Sequence, residues 1–243
     1  MKYRFVLLCI LLSAMTMTSC SESDDKDDEY ANWESRNNVY FENIYQQAKS
    51  AIDSGDESWM IIKSWSKDGA LSIYTAGAEE GTHTDYIVAH VESQSSYHDE
   101  CKVLTEQSLA TPLYTDTVRL HYRGWLMPSA SYSEGKQFDS SWQGDYDTTT
   151  MVPAKLSVSG MINGFTTALM SMHVGDRWTV YIPWQLAYGS SSTSSSIPNC
   201  SVLRFDMTLQ SYWKAGTTVS TIPATLRGGM RTVSSGMWAA PTT

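Results

Sequence analysis

Three stretches of this chain alternate apolar and polar residues with period two. In the first, Val118, Leu120 and Tyr122 share one strand face, and Arg119, His121 and Arg123 share the other. In the second, Trp178, Val180 and Ile182 alternate with Arg177, Thr179 and Tyr181. In the third, Leu203, Phe205, Met207 and Leu209 alternate with Arg204, Asp206 and Thr208. Successive side chains of a strand point to opposite faces, so each stretch predicts a strand with one buried face. That pattern fits an antiparallel sheet whose other face is wet. A single helix-like segment lies between the strands. Asn163 reads as its N-cap, Phe165, Leu169 and Met172 as its inward face, and Gly175 as the residue beyond its end. The predicted fold class is α+β: an antiparallel β-sheet wrapped around one short α-helix.

An N-terminal helical extension precedes this unit. Residues 31–52 carry Trp33, Tyr40, Phe41, Ile44, Ala48 and Ile52 at helical spacing, and Ser54-Gly55-Asp56 supplies turn chemistry at the end. The expected role is packing against the main domain; a dimerisation or partner-binding helix is the alternative. Short strands are expected at 59–64, 71–75 and 85–92. The domain boundaries read as a signal at 1–19, an acidic tether at 20–30, the helix and short-strand extension at 31–83, the main domain at 84–215 and an unassigned tail at 216–243. Residues 190–196 are all Ser or Thr and predict a loop.

Formal net charge is −9 over 243 residues. No Lys/Arg cluster is present, so nucleic acid is not an expected partner. Lys2 and Arg4 precede an apolar run at 5–15 that is too short to span a bilayer. Met17-Thr18-Ser19-Cys20 follows. This resembles a bacterial lipoprotein signal, in which Cys20 becomes the lipidated first residue, although Met17 stands where such signals usually have Leu. The implied location is the cell envelope, lipid-anchored at the outer membrane on its periplasmic or surface face. An ordinary secreted protein is the alternative. Six of the nine residues at 21–29 are acidic, which describes a solvated spacer or an export signal. Cys101 and Cys200 remain in the mature chain, either paired or as two buried thiols. The His98-Asp99-Glu100-Cys101 run is read as an exposed loop. There is no HExxH, CxxC or GxSxG, and the five histidines show no metal spacing.

Six motifs follow in order from Thr117 to Leu209: TVRLHYRGWL, GKQFDSS, SGMINGF, MHVGDRW, IPWQLAYG and IPNCSVLRFD. They set aromatic, aliphatic and carboxylate side chains along short strands, as an apolar cup would need. Residues 85–213 resemble an FKBP-type peptidyl-prolyl cis-trans isomerase, and the tether and first helix resemble those of its exported lipoprotein members. The resemblance implies a cofactor-free isomerase acting on proline-containing polypeptides, with macrolides as possible ligands and a lipid anchor in the membrane. It implies Tyr122 in the pocket wall and Phe138 against the proline ring. Asp139 would be the polar group near the twisted carbonyl. The Ile162 N–H and the Tyr188 hydroxyl would each donate to a substrate carbonyl. Phe165 would form the floor, and Ile197 and Phe205 would complete the cup. The chain departs from the family pattern at Ala154, where an aromatic wall is common, and at Phe165, where Trp is usual. Thr193 and Asn199 depart too, and the 127–137 loop is slightly longer. A catalytically weak peptide- or protein-binding module is the alternative those departures allow.

Overall fold

The computed structural model describes residues 29–67, 71–76, 82–93, 110–147, 150–192 and 195–216. The signal, Cys20, the His98 to Cys101 run, Thr193 and the tail from 217 lie outside the described residues. Seven strands make one antiparallel sheet. They are β1 (Trp59–Lys63), β2 (Tyr86–Ser93), β3 (Thr117–Leu126), β4 (Gln137–Ser140), β5 (Ala154–Ser157), β6 (Arg177–Ile182) and β7 (Leu203–Trp213). Their order is β1-β2-β6-β7-β3-β4, and β5 also pairs with β3. The predicted fold class therefore holds.

β3 positions the site. β7 pairs with it along its length, from Thr117↔Trp213 to Leu126↔Leu203. Its other edge is shared. β5 takes the first half, with Leu120 opposite Ala154, and β4 takes the second, with Gly124 opposite Asp139. Asp139 and Ala154 thus hang from one strand, at registers set by Gly124 and Leu120.

The short helix α2 (Asn163–Leu169) packs on one face of the sheet. Val118, Leu120, Val180, Ile182, Met207 and Leu209 are buried there with Phe165, Ala168 and Leu169. The approach is close. A Cβ on Gly164 would stand 2.2 Å from Ile182 Cγ2, so only glycine lets the helix backbone reach β6. Asn163 does not cap this helix. Ile162 occupies the N-cap without a side-chain bond. The start is fixed instead by the Thr166 hydroxyl, which donates to the Val158 carbonyl at 2.8 Å. Asn163 offers its own carbonyl to the Thr167 hydroxyl. Met172 is fully buried but lies in the turn beyond the helix.

The other sheet face is not wet, contrary to the alternation. Helix α1 (Trp33–Asp53) lies on it. Phe41, Tyr45 and Ala48 join Ile61, Tyr74, Val88 and Val202 in a second core. Ile61, Val88 and Tyr181 line up across β1, β2 and β6 beneath the helix. Burying each large side chain contributes about 1.5–3 kcal/mol, which is ample reason for α1 to dock. The expected packing of this helix is what the structure has. Of the strand expected at 71–75, only Ile73 bridges to Ile62. The 31–83 extension is thus continuous with the main sheet through β1.

The rest of that face is layered with rings and guanidiniums. Arg123 lies 4.4 Å from the Trp142 ring, Arg204 4.6 Å from Trp125, Arg119 5.1 Å from Trp213 and Arg177 5.4 Å from Tyr146. His121, expected on the wet side, is only 1% exposed. Trp142 and Tyr146 meet it edge-on. Arginine scores as polar in a pattern, yet its long stem and flat head cover apolar surface.

Candidate active site

The cup opens on the α2 face of the sheet, between β3, β4, β7 and the start of the helix. Its wall is a set of rings packed edge to face. Phe165 and Phe205 have centroids 5.0 Å apart at 83°. Phe138 meets Phe205 at 5.5 Å and 89°. Tyr122 meets Phe165 at 5.8 Å and 84°. Edge-to-face pairing is favoured by the ring quadrupoles and locks each ring plane against the next. Phe205 and Phe165 are buried, whereas Tyr122 and Phe138 are half-buried and reach toward the mouth.

Gly124 makes this convergence possible. A Cβ there would sit 2.5 Å from Phe138 Cζ and 2.7 Å from Phe205 Cε1. In the sequence this glycine stands inside TVRLHYRGWL. Its signal was a glycine inside a strand, which marks a close approach.

Asp139 stands at the mouth with both oxygens engaged. Oδ2 accepts from the Tyr122 hydroxyl at 2.8 Å, and Oδ1 accepts from the Ser140 N–H at 2.8 Å. The turn that presents it is tied to β3 twice: the Tyr122 N–H donates to Ser141 Oγ at 2.9 Å, and the Ser141 N–H to the Tyr122 carbonyl at 2.9 Å. Burial, then the bond to Asp139 and its charge, push the Tyr122 hydroxyl far above its ordinary value. It is a fixed donor at any physiological pH.

Tyr188 follows the Trp184–Leu186 turn and is 47% exposed. Partial burial, then the field of Asp139, raise its hydroxyl above the ordinary tyrosine value. Tyr188 therefore also keeps its proton. Ile197 is buried in the same loop. Ile162 is half-buried at the helix start, and among the described residues no acceptor takes its N–H.

The structure thus brings Tyr122, Phe138, Asp139, Phe165 and Phe205 into direct contact, and Tyr188 feels the field of Asp139. Ile162 stands at the start of α2, and Ile197 is buried in the 183–202 loop. Ala154 is half-buried and leaves open wall on the β5 side. Asn199 is exposed, and among the described residues Cys200 is a buried free thiol. Among the described residues no group of His, Cys, Asp and Glu is disposed to hold a metal. What remains is an apolar ring-lined cup with donors at its rim.

Residues 110–210 match the family described as FKBP-type peptidyl-prolyl cis-trans isomerase. The FKBP-type 22 kDa peptidyl-prolyl cis-trans isomerase of Escherichia coli (strain K12) is 38% identical over 108 residues, which are 44% of this chain and 47% of that protein. The peptidyl-prolyl cis-trans isomerase FKBP10 of Mus musculus is 39% identical over 108 residues, 44% of this chain and 17% of the relative. A solved peptidyl-prolyl cis-trans isomerase from Pseudomonas syringae pv. tomato superposes with a TM-score of 0.39 at 21% identity, covering 69% of this chain and 92% of that one. The chain spans less than half the length of the two curated relatives. From β3 to β7 the chain is similar to the FKBP-type peptidyl-prolyl cis-trans isomerase family.

Proposed function

We propose that the protein is a peptidyl-prolyl cis-trans isomerase that binds Xaa-Pro segments in the ring-lined cup and assists the folding of exported or envelope proteins. The observation that carries this is the cup itself: Phe138, Phe165, Phe205 and Tyr122 packed edge to face, with Asp139 held at the mouth.

The chemistry needs no more than such a cup. An Xaa-Pro bond rotates slowly because its amide has partial double-bond character, with a barrier of about 18–20 kcal/mol. Twisting the amide removes that conjugation and much of its charge separation. A pocket less polar than water therefore favours the twisted form over the planar one. Proline sits against Phe138 and Phe165. The Ile162 N–H and the Tyr188 hydroxyl hold the neighbouring carbonyls, and Asp139 faces the carbonyl that turns. No proton is transferred and no covalent intermediate forms. Macrolides that mimic a twisted Xaa-Pro unit compete for the same cup.

The envelope location rests on the leader sequence and Cys20. Cys20→Ser abolishes incorporation of labelled fatty acid and releases the protein from the membrane. Retention of label on the variant overturns the anchor.

The activity is tested by the rate of cis-to-trans exchange in an Xaa-Pro peptide. The unmutated protein accelerates it, and Asp139→Ala combined with Tyr188→Phe slows it. No rate above background in the unmutated protein overturns the reading. A second reading, a peptide-binding module without catalysis, is favoured by the open wall at Ala154. Affinity for the peptide without acceleration selects it.

A further inference from the structure

The loop from Pro183 to Val202 carries Tyr188 and Ile197, and its foundations lie outside the family domain. Helix α1, which precedes residue 110, bonds to it at three points. Asn37 is fully buried, and its Oδ1 accepts the Val202 N–H at 2.8 Å. Its Nδ2 donates back to the Trp33 carbonyl at 2.7 Å, which fixes the amide orientation. The Trp33 indole N–H donates to Ser201 Oγ at 2.8 Å, and Ser201 in turn donates to the Pro198 carbonyl at 2.6 Å. At the other end of the loop, the Trp184 indole N–H donates to Asn38 Oδ1 at 2.8 Å.

These bonds reach Tyr188 through the backbone. The Cys200 N–H donates to the Gly189 carbonyl at 3.0 Å, and the Gly189 N–H to the Trp184 carbonyl at 2.9 Å. Trp184, which α1 grips, and Cys200, the neighbour of the gripped Ser201, thus bracket the residue after Tyr188 from both sides. Side chains on a loop are placed only as well as the loop is held. Tyr188 itself is 47% exposed, so its own packing holds it only in part.

We infer that α1 is a positioning clamp for the site, in which Asn37 and Trp33 set the Pro183 to Val202 loop and thereby the Tyr188 hydroxyl. This rests on the proposed isomerase reading for its kinetic consequence, but not for its structural one. Trp33, Asn37 and Asn38 touch no substrate. They act through the loop, so the clamp tunes the family site from an element that the family match does not include.

Two measurements on the intact protein test it. The first is isomerase kinetics of Asn37→Ala, Asn37→Asp, Tyr188→Phe and the Asn37→Ala/Tyr188→Phe double variant. Asn37→Ala leaves the Val202 N–H buried and unpaired and lowers kcat/KM about five- to tenfold. Asn37→Asp keeps the Oδ1 acceptor but sets a buried carboxyl oxygen against the Trp33 carbonyl in place of the Nδ2 donor, so it does not restore the rate. The Asn37→Ala loss shrinks in the Tyr188→Phe background, where no hydroxyl is left to misplace. An equal loss in both backgrounds, or none, overturns the inference.

The second is amide hydrogen exchange of Asn37→Ala, read at Gly189 and Cys200 with Met207 of β7 as the internal reference. Faster exchange at Gly189 and Cys200 than at Met207 supports the clamp. Unchanged protection there overturns it whatever the kinetics. If Asn37→Ala does not fold, Trp33→Phe, which removes the Ser201 bond and keeps the Trp33 carbonyl that Asn37 uses, is read the same way. An unmutated protein without isomerase activity contradicts the proposed function, and the exchange result then decides the clamp alone.

Discussion

The Tyr122 hydroxyl donates to Asp139 Oδ2 at 2.8 Å, bridging β3 and β4 at the mouth of the cup. The bond fixes one carboxylate oxygen and leaves the other on the Ser140 N–H. Tyr122→Phe keeps the ring contacts with Phe165 and Phe205 and frees the carboxylate. Asp139 is exposed, so water replaces much of what is lost and the cost is about 1 kcal/mol. The expected result is a roughly fivefold fall in kcat/KM with a melting temperature lower by only about 2–4 °C. Asp139→Ala falls further, and adding Tyr122→Phe to it costs little more, because the two act as one unit. Peptide isomerisation rates across the four proteins check this.

Gly124→Ala separates the cup from the fold. The new Cβ would overlap Phe138 Cζ and Phe205 Cε1. Phe205 is 5% exposed and cannot yield, whereas Phe138 is half-buried and can swing toward solvent. The stability loss is therefore at the low end for overpacking, about 1 kcal/mol. The loss of proline-peptide affinity is larger, about tenfold. Urea unfolding and peptide titration together read the two effects, and a stability loss without an affinity loss counts against Phe138 as a cup wall.

The wall of the cup was legible in the sequence because period two is strict where one face is buried. Phe205 and Tyr122 fall on the apolar side of their strands, and motif order supplied Asp139 and Tyr188. The second face was not legible, for a physical reason. Arg123, Arg177 and Arg204 count as polar, yet each lies flat on an aromatic ring. His121 reads as a surface residue until Trp142 and Tyr146, about twenty residues on, fold over it. Asn37 was hidden in the same way: its partner is the Val202 N–H, 165 residues away. Tertiary partners at that distance leave no local pattern.

A fragment trimmed to the family match tests how far the extension is structural. Residues 110–216 lack α1, β1 and β2. The fragment would uncover the β6 edge that β2 pairs with, together with Val202 and Tyr181, which pack in the second core under α1. An open apolar edge promotes association rather than folding. The expected outcome is an aggregating or molten fragment with poor amide dispersion in NMR spectra, against a dispersed spectrum for the protein from Asn32 onward. A monomeric, well-dispersed 110–216 fragment would show that the second core is dispensable.

His121 makes the fold acid-sensitive. Burial lowers its pKa below the ordinary imidazole value. Arg123 and Arg177 lie over the two rings, Trp142 and Tyr146, that enclose it. Among the described residues Nδ1 has no hydrogen-bond partner. The unfolded chain takes up the proton near the ordinary value of about 6.5, while the folded state resists it. Stability from this group is therefore complete above about pH 6.5 and lost as the pH falls below it. His173 has the opposite sign, because its bond to Asp176 raises its pKa. Its stabilisation is present in acid and lost as pH rises through the raised value. His121→Phe keeps an aromatic ring under Trp142 and removes the titration. The urea midpoint of this variant should drop less between about pH 8 and about pH 5.5 than that of the unmutated protein. His173→Ala, which removes a contribution present in acid, should drop more. Equal drops in the unmutated protein and His121→Phe would assign the acid sensitivity to another group.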